Sequence, residues 1–227
     1  MTRVEPASTV SYGPHPEQVA ELWLPLGGTP PYPAVVLIHG GCWRAQYGRD
    51  LEHGVAADLA ARGLAVWNVE YRRLDCGGDW PVPLEDVVAA AAALPEDLDG
   101  ERIALAGHSA GGHLALLAAN RVRARGVLAQ APVSDLRLAA DLGACAGAVE
   151  RLLAQGAPSP IDEPPGAEVL LVHGDADEYV PVELSRRYAN GGHAVYVELV
   201  GCGHMEFLDP ASEAGRLSGN WLERLLA

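Results

Sequence analysis

The sequence predicts an α/β fold: a mostly parallel sheet covered on both faces by helices. Three observations carry this. Short apolar, β-branched runs alternate with alanine- and leucine-rich amphipathic stretches along the chain, which is how strands and crossover helices follow one another. The runs are largely apolar throughout, as strands buried on both faces must be. A glycine-flanked serine, Ser109, sits where one such run gives way to a helical stretch.

Taken in order, strands are expected near 19–24, 34–38, 65–69, 103–106, 126–130, 169–173 and 194–200. Leu51, Val55 and Leu59 recur every fourth residue ahead of Gly63, the pattern of an amphipathic helix and its terminator. The alanine-rich stretch 87–94 is a helix stopped by Pro95, and another helix is expected from Ala110 to about Asn120. Residues 137–166 form a short lid-like insertion, with a helical patch around 149–153 and then a loop rich in Pro158, Pro160, Pro164 and Pro165. Asp209 and Pro210 have the chemistry of an N-cap followed by proline at the first helical position, opening a last helix toward Leu226. With 227 residues, 49% of them hydrophobic, the chain is expected to be a single domain over 1–227.

Composition narrows the function classes. The formal charge of −14 argues against nucleic acid or an anionic membrane as partner, because both require a positive footprint. Residues 1–10 lack a charged-then-apolar leader, and no run approaches the roughly 18 apolar residues of a membrane span, so a cytoplasmic location is expected. Cys42, Cys76, Cys145 and Cys202 show no C-x-x-C spacing and are expected as reduced thiols. The histidines lack ligand spacing, so neither metal nor cofactor is expected.

The chemistry concentrates in a few loops. Gly107-His108-Ser109-Ala110-Gly111 is a G-x-S-x-G turn between strand and helix, a geometry that lifts the serine hydroxyl above the sheet as a nucleophile. Functional residues of an open parallel sheet gather beyond the carboxyl ends of its strands. That test selects His204, in the loop after the last strand, over His193, which precedes it, and over His113, one helical turn beyond Ser109. It also offers Asp177, in the loop after the penultimate strand, with Asp135 as the rival acid. His39-Gly40-Gly41-Cys42-Trp43 follows the strand at 34–38, and the amides of Gly41, Cys42 and Ala110 are the expected oxyanion donors. Trp43 reads two ways, as an aromatic wall for substrate or as a core residue closing the loop.

These motifs resemble those of α/β-hydrolases of the kynurenine formamidase-like group and related esterases. The resemblance rests on His39-Gly40-Gly41-Cys42-Trp43, Gly107 to Leu114, His173-Gly174 with Asp177 and Val180-Pro181, and Gly203-His204 ahead of Asp209-Pro210. It runs nearly end to end, and the order Ser109, Asp177, His204 is that of the family's triad. The resemblance implies a cofactor-independent serine hydrolase acting on a small-molecule ester or amide. Hydrolysis of a formyl arylamide of the N-formylkynurenine type is the first expectation and short-chain carboxylester hydrolysis the second; a non-catalytic binding protein on the same fold is a remote third.

Overall fold

The computed structural model describes residues 5–227. Its centre is an eight-stranded sheet: β1 (Ser8–Ser11), β2 (Val19–Trp23), β3 (Tyr32–Ile38), β4 (Ala65–Val69), β5 (Leu98–His108), β6 (Gly126–Gln130), β7 (Glu168–Gly174) and β8 (Val195–Leu199). Their spatial order is β1-β2-β4-β3-β5-β6-β7-β8. The pairs β1–β2 and β2–β4 are antiparallel, and all others are parallel. Each expected strand is present; β1, whose four residues are all exposed, is an addition.

The period of two along each strand divides the core. In β3, Ala34, Val36 and Ile38 face one layer, while Val35 and Leu37 face the other. The first layer is closed by α2 (Val82–Ala92), α3 (Ala110–Ala118), α4 (Leu136–Asp141), α5 (Ala148–Ala154) and α6 (Glu183–Asn190). The second is closed by α1 (His53–Ala61) and α7 (Glu213–Leu226). Every residue of α3 is buried, as its sequence, apolar all round apart from His113, requires. Each fully buried leucine or isoleucine contributes roughly 1.5–3 kcal/mol relative to exposure. Among the described residues no helix is long and apolar enough to cross a membrane.

The last helix starts later than its sequence suggests. Ser212, not Asp209, is its N-cap, accepting the Gly215 amide at 2.9 Å. Asp209 and Pro210 instead form a turn closed by the Ser212 amide on the Asp209 carbonyl. Proline at the second position of a β-turn satisfies the same local preference for a fixed φ as the first helical position does.

Strand order reverses at β3, which has β4 on one side and β5 on the other. The loops leaving β3 and β5 therefore diverge from neighbouring strand ends, Ile38 beside Gly107, and leave a crevice at the carboxyl edge.

Candidate active site

Ser109 occupies the turn between β5 and α3 with φ 57° and ψ −119°. A non-glycine residue at positive φ costs on the order of 1–3 kcal/mol, so the turn must be held from outside. Its amide donates to the Gln130 carbonyl at 2.8 Å, and its carbonyl accepts from the His113 amide. Close packing does the rest. A Cβ on Gly111 would fall 2.0 Å from the Ile38 carbonyl oxygen, and one on Gly107 would fall 2.3 Å from that of Gly111. Glycine at both positions lets α3 press its first turn against the end of β3, which sets Ser109 beside the loop at 39–43.

That loop is bent at three consecutive residues, Gly41 (φ 103°), Cys42 (φ 51°) and Trp43 (φ 54°). Gly41 and Cys42 line a cavity of about 210 Å³ together with Ser109 and His204. Ala110 opens α3, where the first amides have no acceptor within the helix. Beneath the loop, His39 is fully buried, with Nε2 2.8 Å from Glu70 Oε1 and its ring stacked on Tyr71. Arg73 pairs with the same Glu70 carboxylate, and the Tyr71 hydroxyl donates to the His39 carbonyl at 3.0 Å. Burial pushes the Glu70 carboxyl upward, but hydrogen bonding and charge from His39, then the charge of Arg73, outweigh it and hold it below the usual carboxylate range.

His204 opens a short 3₁₀ turn (His204–Leu208) after β8, and its Nδ1 lies 2.6 Å from Asp177 Oδ2. The other Asp177 oxygen accepts the amides of Tyr179 and Val180, each at 2.8 Å. Burial would raise this carboxyl, yet hydrogen bonds from His173 and His204 dominate and hold it well below its ordinary value. The structure thus brings His204 and Asp177 into contact. It places Ser109 on the same cavity wall, without a direct hydrogen bond from its hydroxyl to the imidazole among the described residues. Such contacts commonly tighten only when substrate is bound.

The remaining sequence candidates fall elsewhere. Asp135 caps α4, accepting the amides of Arg137 and Leu138 and pairing with Arg187 at 3.1 Å. His113 is buried in the core, with its ring edge-on to Trp43. Trp43 itself is fully buried in that cluster and does not line the cavity, so of its two readings the substrate wall is corrected to the core.

Three features escaped the sequence. Cys42 and Cys145 form a disulfide, which corrects the expectation of reduced thiols for that pair; Cys76 and Cys202 are free. The cysteines meet because the loop after β3 and the connection from α4 to α5 fold against each other, a proximity that spacing in sequence does not encode. His108 lies beneath His204, ring centroids 4.3 Å apart, with Nε2 3.0 Å from the His204 carbonyl. Burial pushes the His108 imidazole well below its ordinary value and keeps it neutral. The cavity wall is completed by apolar residues, Tyr47, Leu51, Tyr179, Met205 and Leu208, and all but Leu51 come from loops or a short 3₁₀ turn without a periodic signal.

Residues 20–132 match the family model described as BD-FAE, and residues 81–191 match that of the prolyl oligopeptidase family. Esterase LipC of Mycobacterium tuberculosis is 30% identical over 254 residues, covering 89% of this chain and 60% of that protein. The putative acetyl-hydrolase LipR of the same organism is 35% identical over 119 residues, 50% of this chain and 38% of its own. The chain thus spans 60% of the first relative's length and 38% of the second's. Among solved structures, a truncated carbohydrate esterase from gut microbiota superposes with a TM-score of 0.78 at 21% identity, covering 97% of this chain and 96% of the other. A hyperthermophilic esterase from Pyrobaculum calidifontis gives 0.72 at 25% identity, with 92% and 80% covered. With the sheet order, the nucleophile turn and these likenesses in agreement, the chain has the α/β-hydrolase fold and is similar to esterases built on it.

Proposed function

We propose that the chain is a carboxylesterase of short-chain substrates, with Ser109 as nucleophile, His204 as general base and Asp177 as the acid that orients it. Ser109 Oγ attacks the ester carbonyl as His204 takes its proton. The amides of Gly41, Cys42 and Ala110 then receive the charge that develops on the carbonyl oxygen. The imidazolium, held by Asp177, returns the proton to the departing alcohol, and water resolves the acyl-enzyme by the same route. One observation carries the substrate class: among the described residues the cavity holding Ser109 and His204 is lined by apolar side chains and no carboxylate, lysine or arginine. A neutral ester with an apolar acyl chain loses little on entering such a site, while a charged one forfeits hydration without a partner.

The relatives named above are esterases and an acetyl-hydrolase, and they favour the ester reading over the arylformamidase one. The Cys42–Cys145 bridge also weighs against the cytoplasmic expectation, because disulfides persist mainly in oxidising compartments. A series of p-nitrophenyl esters beside N-formylkynurenine tests the assignment. Butyrate is expected to be hydrolysed at least as fast as acetate, with N-formylkynurenine slower by roughly a hundredfold or more. Faster cleavage of the formamide than of any ester would return the formamidase reading.

A further inference from the structure

We propose that His173 and Ser185 are positioning residues for the acid, forming the rear half of a buried line Ser185, His173, Asp177, His204. The proposal rests on Asp177 and His204 acting together as described above.

The observation is a second histidine on the carboxylate. His173, in β7, places Nε2 3.1 Å from Asp177 Oδ2, the same oxygen that meets His204 Nδ1. The side chains of His173 and Asp177 are fully buried, as is Ser185. The direction of the proton follows from the neighbours. His173 Nε2 also faces the Val180 carbonyl at 2.9 Å, and a carbonyl can only accept, so Nε2 carries the hydrogen and shares it between the two oxygens. Nδ1 then accepts the Ser185 hydroxyl proton at 2.6 Å, which fixes the tautomer from α6.

What this does to Asp177 is geometric. A carboxylate offers about four acceptor positions. The amides of Tyr179 and Val180 pin Oδ1 alone and leave the group free to swing about that oxygen. The His173 N–H removes that freedom by holding Oδ2 from the side away from the cavity, so that its remaining lone pair points at His204. Ser185 comes from a separate helix, so the acid is registered against α6 as well as against its own loop. No other part of the proposed mechanism calls for a histidine here.

The test compares four variants, His173→Phe, His173→Gln, Ser185→Ala and Asp177→Asn, by kcat and KM on p-nitrophenyl butyrate, thermal melting, and the far-downfield proton resonance of the short bond between His204 and Asp177. His173→Phe keeps a ring and loses the donor. It is expected to lower kcat roughly ten- to hundredfold at near-constant KM, as small misplacements of a catalytic group do, and to shift the resonance. Ser185→Ala is expected to do the same more weakly, while His173→Gln, whose amide reaches the Nε2 position, recovers most of the loss. Should His173→Phe not fold, Ser185→Ala and His173→Gln decide. A folded Ser185→Ala with kcat within twofold of the parent and an unmoved resonance overturns the proposal. A fully active Asp177→Asn would instead overturn the assignment of the acid itself, a result distinct from either.

Discussion

Cys42 and Cys145, 103 residues apart in sequence, are joined by a disulfide that holds their Cα atoms 5.4 Å apart and ties the loop after β3 to the connection between α4 and α5. The same two segments share a second contact, from Arg44 Nη2 to the Ala146 carbonyl at 2.7 Å. The bridge therefore anchors a loop whose backbone sits at positive φ and whose Gly41 and Cys42 line the cavity.

Opening the bridge should loosen that loop without emptying the site. Treatment with a dithiol reductant, or Cys145→Ser, is expected to lower the melting temperature, since closing a loop of about 100 residues stabilises by on the order of 4 kcal/mol. It should lower kcat for ester hydrolysis by roughly tenfold and change KM less, because the amides act mainly on charge that exists in the transition state. The measurement pairs activity with a thiol titration. Two newly titratable thiols with unchanged kcat would show that Arg44 and the Trp43 carbonyl, bonded to the Leu74 amide at 2.9 Å, hold the loop unaided.

The two aspartates that compete in the sequence separate by their partners. Asp177 meets His204, whereas Asp135 caps α4 and pairs with Arg187. Asparagine at the orienting acid favours the wrong imidazole tautomer, and the corresponding change in a serine protease triad costs about 10⁴ in kcat. Asp177→Asn is expected to approach that loss. Asp135→Asn keeps a good N-cap and forfeits only the ion pair, so its kcat should stay within about tenfold, with a small drop in melting temperature. Steady-state rates on one ester decide, and the reverse ranking would move the acid to the loop after β6.

What could be read from the chain follows from what is local. Strands β2 to β7 announce themselves by apolar runs that a buried sheet demands, and the part-buried edge strand β8 by its β-branched and aromatic residues. β1 does not, because its four residues are exposed and only pairing to β2 makes them a strand. The six-residue α4, which runs into the lid-like insertion expected over 137–166, is not marked by its own periodicity, although Asp135 ahead of Leu136 is a usable capping signal. At the site, Ser109, Asp177 and His204 follow strand ends, so topology and order pick them out. The disulfide, His108 beneath His204 and His173 behind Asp177 depend on contacts between segments distant in sequence or on ring orientation, and neither leaves a periodic trace.

Glu52 provides a pH test that is independent of catalysis. It ends the 3₁₀ turn Arg49–Glu52 ahead of α1, is fully buried, and neither carboxylate oxygen has a hydrogen-bond partner among the described residues. Burial pushes its carboxyl up from 4.5 to about 8. Below pH 4.5 the folded and unfolded chains both hold this proton, and the group adds no pH dependence. Between 4.5 and 8 the unfolded chain releases it while the folded chain retains it, so folding stability falls as pH rises, by up to about 1.4 kcal/mol per pH unit. Glu52→Gln removes the ionisable group while keeping its shape and polarity. The variant should therefore melt progressively higher than the parent as pH is raised from 5 to 8, with the two curves converging near pH 4. Parallel melting curves across that range would mean that the Glu52 carboxyl is ionised in the folded protein and has a partner there, such as an ordered water.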